Sequence, residues 1–179
     1  MSETAKQAEA AAGGPDPAAS LTERMLAENA IGETWRICYL ANTFVFPLYA
    51  RLEKEQDLLR PEFVTMYCLA HHEPLIAQDI VQMTALPKNT ISRGVKRLLS
   101  RGLISRGGHP EDRRKAQLRL TQEGRALVEA LMPDFITQRE DLVGALTPAE
   151  RAQLGRLLLK MAQAVARRND SAGERPARS

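Results

Sequence analysis

The sequence predicts a mainly α-helical fold carrying one small β-wing, and three observations predict it. Within residues 86–100, Ile91, Val95, Leu98 and Leu99 recur at the spacing of one helix face, with Lys88, Asn89, Ser92, Arg93, Lys96 and Ser100 opposite. Immediately after this stretch, residues 103–106 and the alternating Ala116, Leu118 and Leu120 flank a segment of turn-forming residues, as two paired short strands would. Elsewhere, apolar residues at helical spacing dominate residues 31–56 and 121–168.

At 179 residues and 44% apolar content, the chain suits one domain with tails. Aromatic residues make up only 4%, so aliphatic side chains must fill the interior. Residues 1–20 are Ala, Gly, Pro, Glu and Ser with almost no large apolar side chain, and are expected to form a disordered tail. Residues 21–30 are weakly helical and suit a short packing arm. Residues 31–56 read as one long helix. Ile31, Trp35, Cys38, Val45, Tyr49 and Leu52 lie on one stripe, while Leu40, Ala41, Phe44 and Leu48 cover another side. Pro47 should kink it.

Pro61 opens the next helix at its first turn, with Phe63, Val64, Tyr67, Cys68 and His71 expected to face inward. Residues 75–83 form a short helix, and Thr84, Ala85, Leu86 and Pro87 turn the chain into the basic helix described above. Gly102 stops that helix. The segment 107–112, Gly-Gly-His-Pro-Glu-Asp, reads as a turn between the strands. Thr121 caps a further long helix carrying Leu127, Leu131, Phe135, Leu142 and Leu146, which Pro133 should bend. Thr147-Pro148-Ala149-Glu150 is a capping box with proline at the first helical position. Leu154, Leu158, Met161 and Val165 form a heptad-like stripe behind it. Residues 169–179 are a polar tail, expected to be disordered.

The charge pattern gives the central helix and hairpin a direction. Between Leu86 and Thr121 ten cations face two acids, a local balance of +8, although the whole chain carries only +3. A mild total charge thus hides a basic patch suited to a polyanion. Hydroxyls and amides between the cations can hydrogen-bond base edges and phosphates alike. A short helix, a turn, a basic helix and a basic-tipped hairpin make a winged helix-turn-helix, which places the helix in the major groove and the wing on the backbone or minor groove. The long N- and C-terminal helices exceed what this lobe needs. They read as a dimerisation layer, about residues 31–56 and 121–168 of a domain spanning 21–168, with the DNA-binding lobe at about 61–120.

These residues resemble the MarR family of bacterial transcriptional regulators. The family's reading-helix pattern is matched at Leu86, Thr90, Ile91, Ser92, Arg93, Val95, Leu98, Gly102, Leu103 and Ile104. Its wing pattern is matched at Asp112, Arg114, Leu118, Leu120, Thr121 and Gly124. The resemblance implies a homodimer that reads a pseudo-palindromic double-stranded DNA operator, most often as a repressor. The expected DNA-binding set is Lys88, Asn89, Thr90, Ser92, Arg93, Lys96, Arg97, Arg106, Asp112, Arg113, Arg114 and Lys115. It also implies a crevice for a small aromatic carboxylate effector, for which Trp35, Arg36, Tyr39, Thr43 and His71 are the candidates.

Other readings compete with parts of this one. Relatives that sense peroxide make Cys38 a rival switch, against the plainer expectation that Cys38 and Cys68 are buried structural thiols. A winged helix can also serve protein contacts. His71, His72 and His109 lack the neighbouring ligands a zinc site needs, so no metal is expected. No nucleophile elbow, phosphate-binding glycine loop or carboxylate pair supports an enzyme, and no cofactor is implied. Two cysteines without a disulfide framework, no membrane-length apolar run and no signal pattern fit a soluble cytoplasmic protein.

Overall fold

The computed structural model of the protein describes residues 20–108 and 116–173. The chain forms α1 (Leu21–Ala27), α2 (Gly32–Leu40), a π-helical segment (Ala41–Val45), α3 (Phe46–Gln56), α4 (Arg60–His72), α5 (Ala77–Thr84) and α6 (Lys88–Ser100). The hairpin β1 (Ile104–Gly108) and β2 (Ala116–Leu120) follows, then α7 (Gln122–Val143) and α8 (Pro148–Gly173). Ser20 is the N-cap of α1, in a complete capping box with Glu23, so it belongs to the folded chain rather than to the tail. The remaining tail, residues 1–19, lies outside the described residues, as does 174–179. At the other end α8 runs past Arg168, because no glycine or proline stands between Arg168 and Gly173.

The core lies beneath α6. Ile91, Val95 and Leu98 are buried against Leu58, Phe63, Met66 and Leu69 from the α3–α4 region, Ile80 from α5, Ile104 and Leu118 from the hairpin, and Val128 and Leu131 from α7. Burying each such aliphatic side chain contributes about 1.5–3 kcal/mol. β1 and β2 pair antiparallel, with Ile104 opposite Leu120 and Arg106 opposite Leu118. Leu75 adds a bridge to Leu118, with N···O distances of 3.2 and 2.7 Å, which ties the α4–α5 connection to the wing. Glu73 supports the same junction by accepting the Leu120 N–H at 2.9 Å and pairing with Arg125.

Several local expectations are corrected. The expected single helix over 31–56 is interrupted by the π-helical segment, and Pro47 falls in the first turn of α3 instead of kinking its middle. Proline lacks the N–H that a regular ladder would need there, and a wider turn ahead of it absorbs the loss. Gly107 and Gly108 are not turn residues. They extend β1 opposite Gln117 and Ala116, since glycine adopts extended backbone freely and the ladder satisfies it. The rest of the expected turn, from His109, lies outside the described residues. On α4 the buried face is Glu62, Phe63, Thr65, Met66, Cys68 and Leu69, while Tyr67 and His71 are exposed. Because α4 is covered by α6, the hairpin and α7 together, a second stripe containing Met66 and Leu69 takes the core position.

Two glycines cannot be replaced freely, one for its backbone conformation and one for lack of space. Gly102, at φ +68, ends α6 in the left-handed region and lets Leu103 turn back into the core. Gly124, in the first turn of α7, packs against the hairpin: a Cβ there would lie 1.9 Å from the Leu103 carbonyl oxygen. Gly124→Ala must therefore displace backbone, and is expected to destabilise the fold by about 3 kcal/mol, at the high end for overpacking. Gly94→Ala, whose Cβ would meet Pro61 at an ordinary 3.5 Å, is expected to stay within about 1 kcal/mol of wild type. Urea denaturation of the two variants checks this. Equal midpoints would show that α7 can shift away from Leu103.

Candidate nucleic-acid interface

The apolar stripe of α6 decides what its other side presents. With Ile91, Gly94, Val95 and Leu98 buried, Lys88, Asn89, Arg93 and Lys96 are exposed and Thr90 and Ser92 lie at the margin. The side chains of Lys88, Asn89, Ser92, Arg93 and Lys96 make no hydrogen bond or ion pair among the described residues. Ala85, at φ +54, makes the sharp turn that sets α5 against α6. α6 therefore presents unpaired cations and short polar groups on a helix whose opposite face is fixed in the core.

Arg97 differs from the rest of the expected set. It turns toward the α3–α4 junction, with Nε 2.9 Å from Glu62 Oε1 and Nη2 3.0 Å from Asp57 Oδ1. Of the wing residues, Arg106 is exposed on β1, while Asp112, Arg113, Arg114 and Lys115 lie outside the described residues.

The expected effector residues do not converge within the chain. Arg36 holds the end of α1, donating to the carbonyls of Leu26 at 2.8 Å and Ala27 at 3.2 Å. Thr43 Oγ1 donates to the Tyr39 carbonyl at 2.7 Å, and Trp35 and Tyr39 are exposed. His71 stands on α4, where its ring lies against Tyr67 at 4.3 Å between centroids. No hydrogen bond or ring contact among the described residues joins it to the α2 group.

His71 instead continues a ring column that the sequence reading missed. Phe63 stacks on Phe135 of α7 at 4.3 Å and on Tyr67 at 5.9 Å, and Tyr49 closes the inner end. The i, i+4 spacing of 63, 67 and 71 was visible in the sequence, but Phe135 joins only through tertiary packing. Arg60 lies over the rings of Phe46 and Tyr49, at 5.2 and 5.5 Å. Burial raises the Tyr49 hydroxyl pKa, and the nearby guanidinium partly opposes that. A separate cleft of about 370 Å³ between α3 and α7 is lined by polar and charged groups, including Arg51, Asp134 and Gln138.

The two thiols differ. Cys38 is exposed, against the expectation that it is buried, because α2 packs on little of the chain. Cys68 is buried, and burial raises its pKa. Maleimide labelling of the native protein at neutral pH is expected to modify Cys38 first and Cys68 only on unfolding. Equal rates would contradict this difference in exposure. Among the described residues no His, Cys, Asp and Glu cluster could hold a metal ion, and no helix is long and apolar enough to cross a membrane.

Comparison with known proteins agrees with this geometry. A sequence model of the MarR family matches residues 56–115, from the end of α3 to the residue before β2. The chain is 33% identical over 131 residues to the HTH-type transcriptional repressor NicR of Pseudomonas putida, covering 73% of this chain and 81% of that protein. It is similar to the structure of Bordetella bronchiseptica BpsR, whose DNA binding is regulated by 6-hydroxynicotinic acid. That match has 30% identity, a TM-score of 0.59, and coverage of 71% of this chain and 98% of BpsR. The S. aureus MepR–DNA complex matches at 25% identity and TM-score 0.65, covering 76% of this chain and 99% of that one. With its unpaired basic α6 face and adjoining hairpin, the chain belongs to the MarR family of winged-helix transcriptional regulators, which bind DNA and are not enzymes.

Proposed function

We propose that the protein is a homodimeric repressor that reads a pseudo-palindromic operator and releases it when a small aromatic carboxylate binds. The observation carrying the DNA-reading part is the outward face of α6, where Lys88, Asn89, Ser92, Arg93 and Lys96 have no partner among the described residues. Unpaired cations on a rigid helix lose no internal bonds when they meet phosphates and base edges. Two copies related by a two-fold axis present two such helices to successive major grooves. The dimerisation layer is assigned to the terminal helices, residues 31–56 and 121–168. Supporting this, Trp35, Ile37 and Leu40 on α2 and Leu154, Leu158, Met161 and Val165 on α8 are all exposed in the protomer. Apolar area of this kind suits a partner subunit.

Arg93→Ala is expected to weaken binding to a selected operator by about 1–3 kcal/mol and to relax sequence preference. The family's wing pattern implies that Arg114 contacts the DNA backbone or minor groove, with Asp112 as its partner in that pattern. Arg114→Ala should weaken binding to many sequences alike and flatten the dependence of log K on log salt. Mobility shifts across a salt series separate the two. Unchanged affinity and preference for Arg93→Ala would remove α6 from the reading role.

For the effector, the supporting observations are the similarity to BpsR and the ring column that ends at exposed Tyr67 and His71. A planar acid can stack there. Trp35, Arg36, Tyr39 and Thr43 are the candidates for the facing wall, with Arg36 as the cation for the carboxylate. An acid that prefers the DNA-incompetent state stabilises the fold by mass action and opposes DNA by linkage. 6-Hydroxynicotinic acid is therefore expected to raise the melting temperature and weaken DNA binding together, and His71→Ala or Arg36→Ala to abolish both effects. Exposed Cys38 gives the rival reading a specific basis. Release of DNA by dilute hydroperoxide in wild type but not in Cys38→Ser, with no thermal response to aromatic acids, would decide for that rival.

A further inference from the structure

Glu62 has no exposed surface, yet it carries a carboxyl group and stands where three helices meet. It lies in the first turn of α4, where Oε2 accepts the Leu59 N–H at 3.0 Å. Its Oε1 sits 2.9 Å from Arg97 Nε in an ion pair that lacks a linear hydrogen bond, and Oε2 is 3.9 Å from Arg101 Nη1. Both arginines come from the C-terminal end of α6, and both continue to the end of α3. Arg97 donates to the Asp57 carboxylate at 3.0 Å and to its carbonyl at 3.2 Å. Arg101 donates to the carbonyls of Asp57 at 2.6 Å and Gln56 at 3.0 Å.

A buried carboxylate is a poor choice for stability alone, because an apolar residue of similar size would avoid the desolvation cost. What the ion pair adds is geometry. The apolar stripe of α6 sets its distance from the core, but non-directional contacts tolerate small rotation and sliding along the helix axis. The guanidinium hydrogen bonds to the Asp57 and Gln56 oxygens tolerate far less, and the Glu62 carboxylate holds both cations beside those oxygens by charge. We propose that Glu62 is a positioning residue for DNA recognition. Through Arg97 and Arg101 it locks the rotation and register of α6 to the end of α3, so the position of the dimerisation helix sets that of the reading helix. This rests on the readings of α6 as the groove-entering helix and of residues 31–56 as part of the dimerisation layer.

The test uses the full-length protein, a duplex selected by the wild type from a random pool, and a scrambled duplex of the same composition. Glu62→Gln and Arg97→Gln are each expected to lower affinity for the selected duplex at least tenfold while leaving the scrambled duplex within about twofold. A merely structural defect would lower both alike by reducing the folded fraction. The double variant should lose no more than either single variant, and the salt slope should stay unchanged, because no phosphate contact is removed. If Glu62→Gln does not fold, Asp57→Asn, at an exposed position, takes its place in the same cycle with Arg97→Gln. Additive losses would overturn the proposal. So would a flatter salt slope for Arg97→Gln with unchanged or tighter binding by Glu62→Gln, since Arg97 would then be a DNA contact. Arg93→Ala distinguishes the two levels. If it has no effect, the reading of α6 fails, and if it alone has an effect, only the positioning role of Glu62 fails.

Discussion

Everything the molecule can present to DNA depends on the burial of one helix face. Ile91, Val95 and Leu98 are drawn from water against α4, α5 and the hairpin, and this fixes α6 by its apolar side. Once that side is committed, the 3.6-residue period leaves Lys88, Asn89, Arg93 and Lys96 no direction but outward. The hairpin depends on the same core through Ile104 and Leu118, so wing and helix share one foundation. Gly102 and Gly124 permit the close turns that join them.

Charge and packing divide the basic residues of this region into two classes. Arg93 and Lys96 remain unpaired, whereas Arg97 and Arg101, one turn further on, are taken up by Glu62, Asp57 and the end of α3. Sequence spacing cannot separate these classes, since Arg93 and Arg97 are four apart on the same helix and both read as exposed cations. Only the tertiary position of the α3–α4 junction distinguishes them. The same reasoning explains why a modest net charge of +3 says little about where a polyanion would contact the chain.

Much of the lobe was legible because local rules and tertiary packing agree there. The α6 period, the Thr147–Glu150 capping box and the alternation of Leu118, Arg119 and Leu120 on β2 appear at the expected residues, while Ala116 and Gln117 are both half-buried. The misses came where tertiary context overrode the local signal. Gly107 and Gly108 read as a turn but have ladder partners on β2. Tyr67 and His71 read as inward-facing, yet α4 is covered on another side. The proposed effector group gathered residues mainly by spacing along residues 35–43, whereas the fold gives Arg36 a capping task and sets His71 among other rings.

The π-helical segment at Ala41–Val45 has a consequence for how α2 relates to the rest of the molecule. A π turn accommodates one more residue than the α-helix around it, and each residue of an α-helix corresponds to about 100° of rotation. Deleting one residue between 41 and 45 to restore a regular helix would therefore swing Trp35, Cys38 and Tyr39 roughly a quarter-turn around the axis of α3. The azimuth of that whole surface is thus encoded by a single count of residues ahead of Pro47. Chains with nearly identical composition in α2 can consequently offer different sides of it to whatever lies against them.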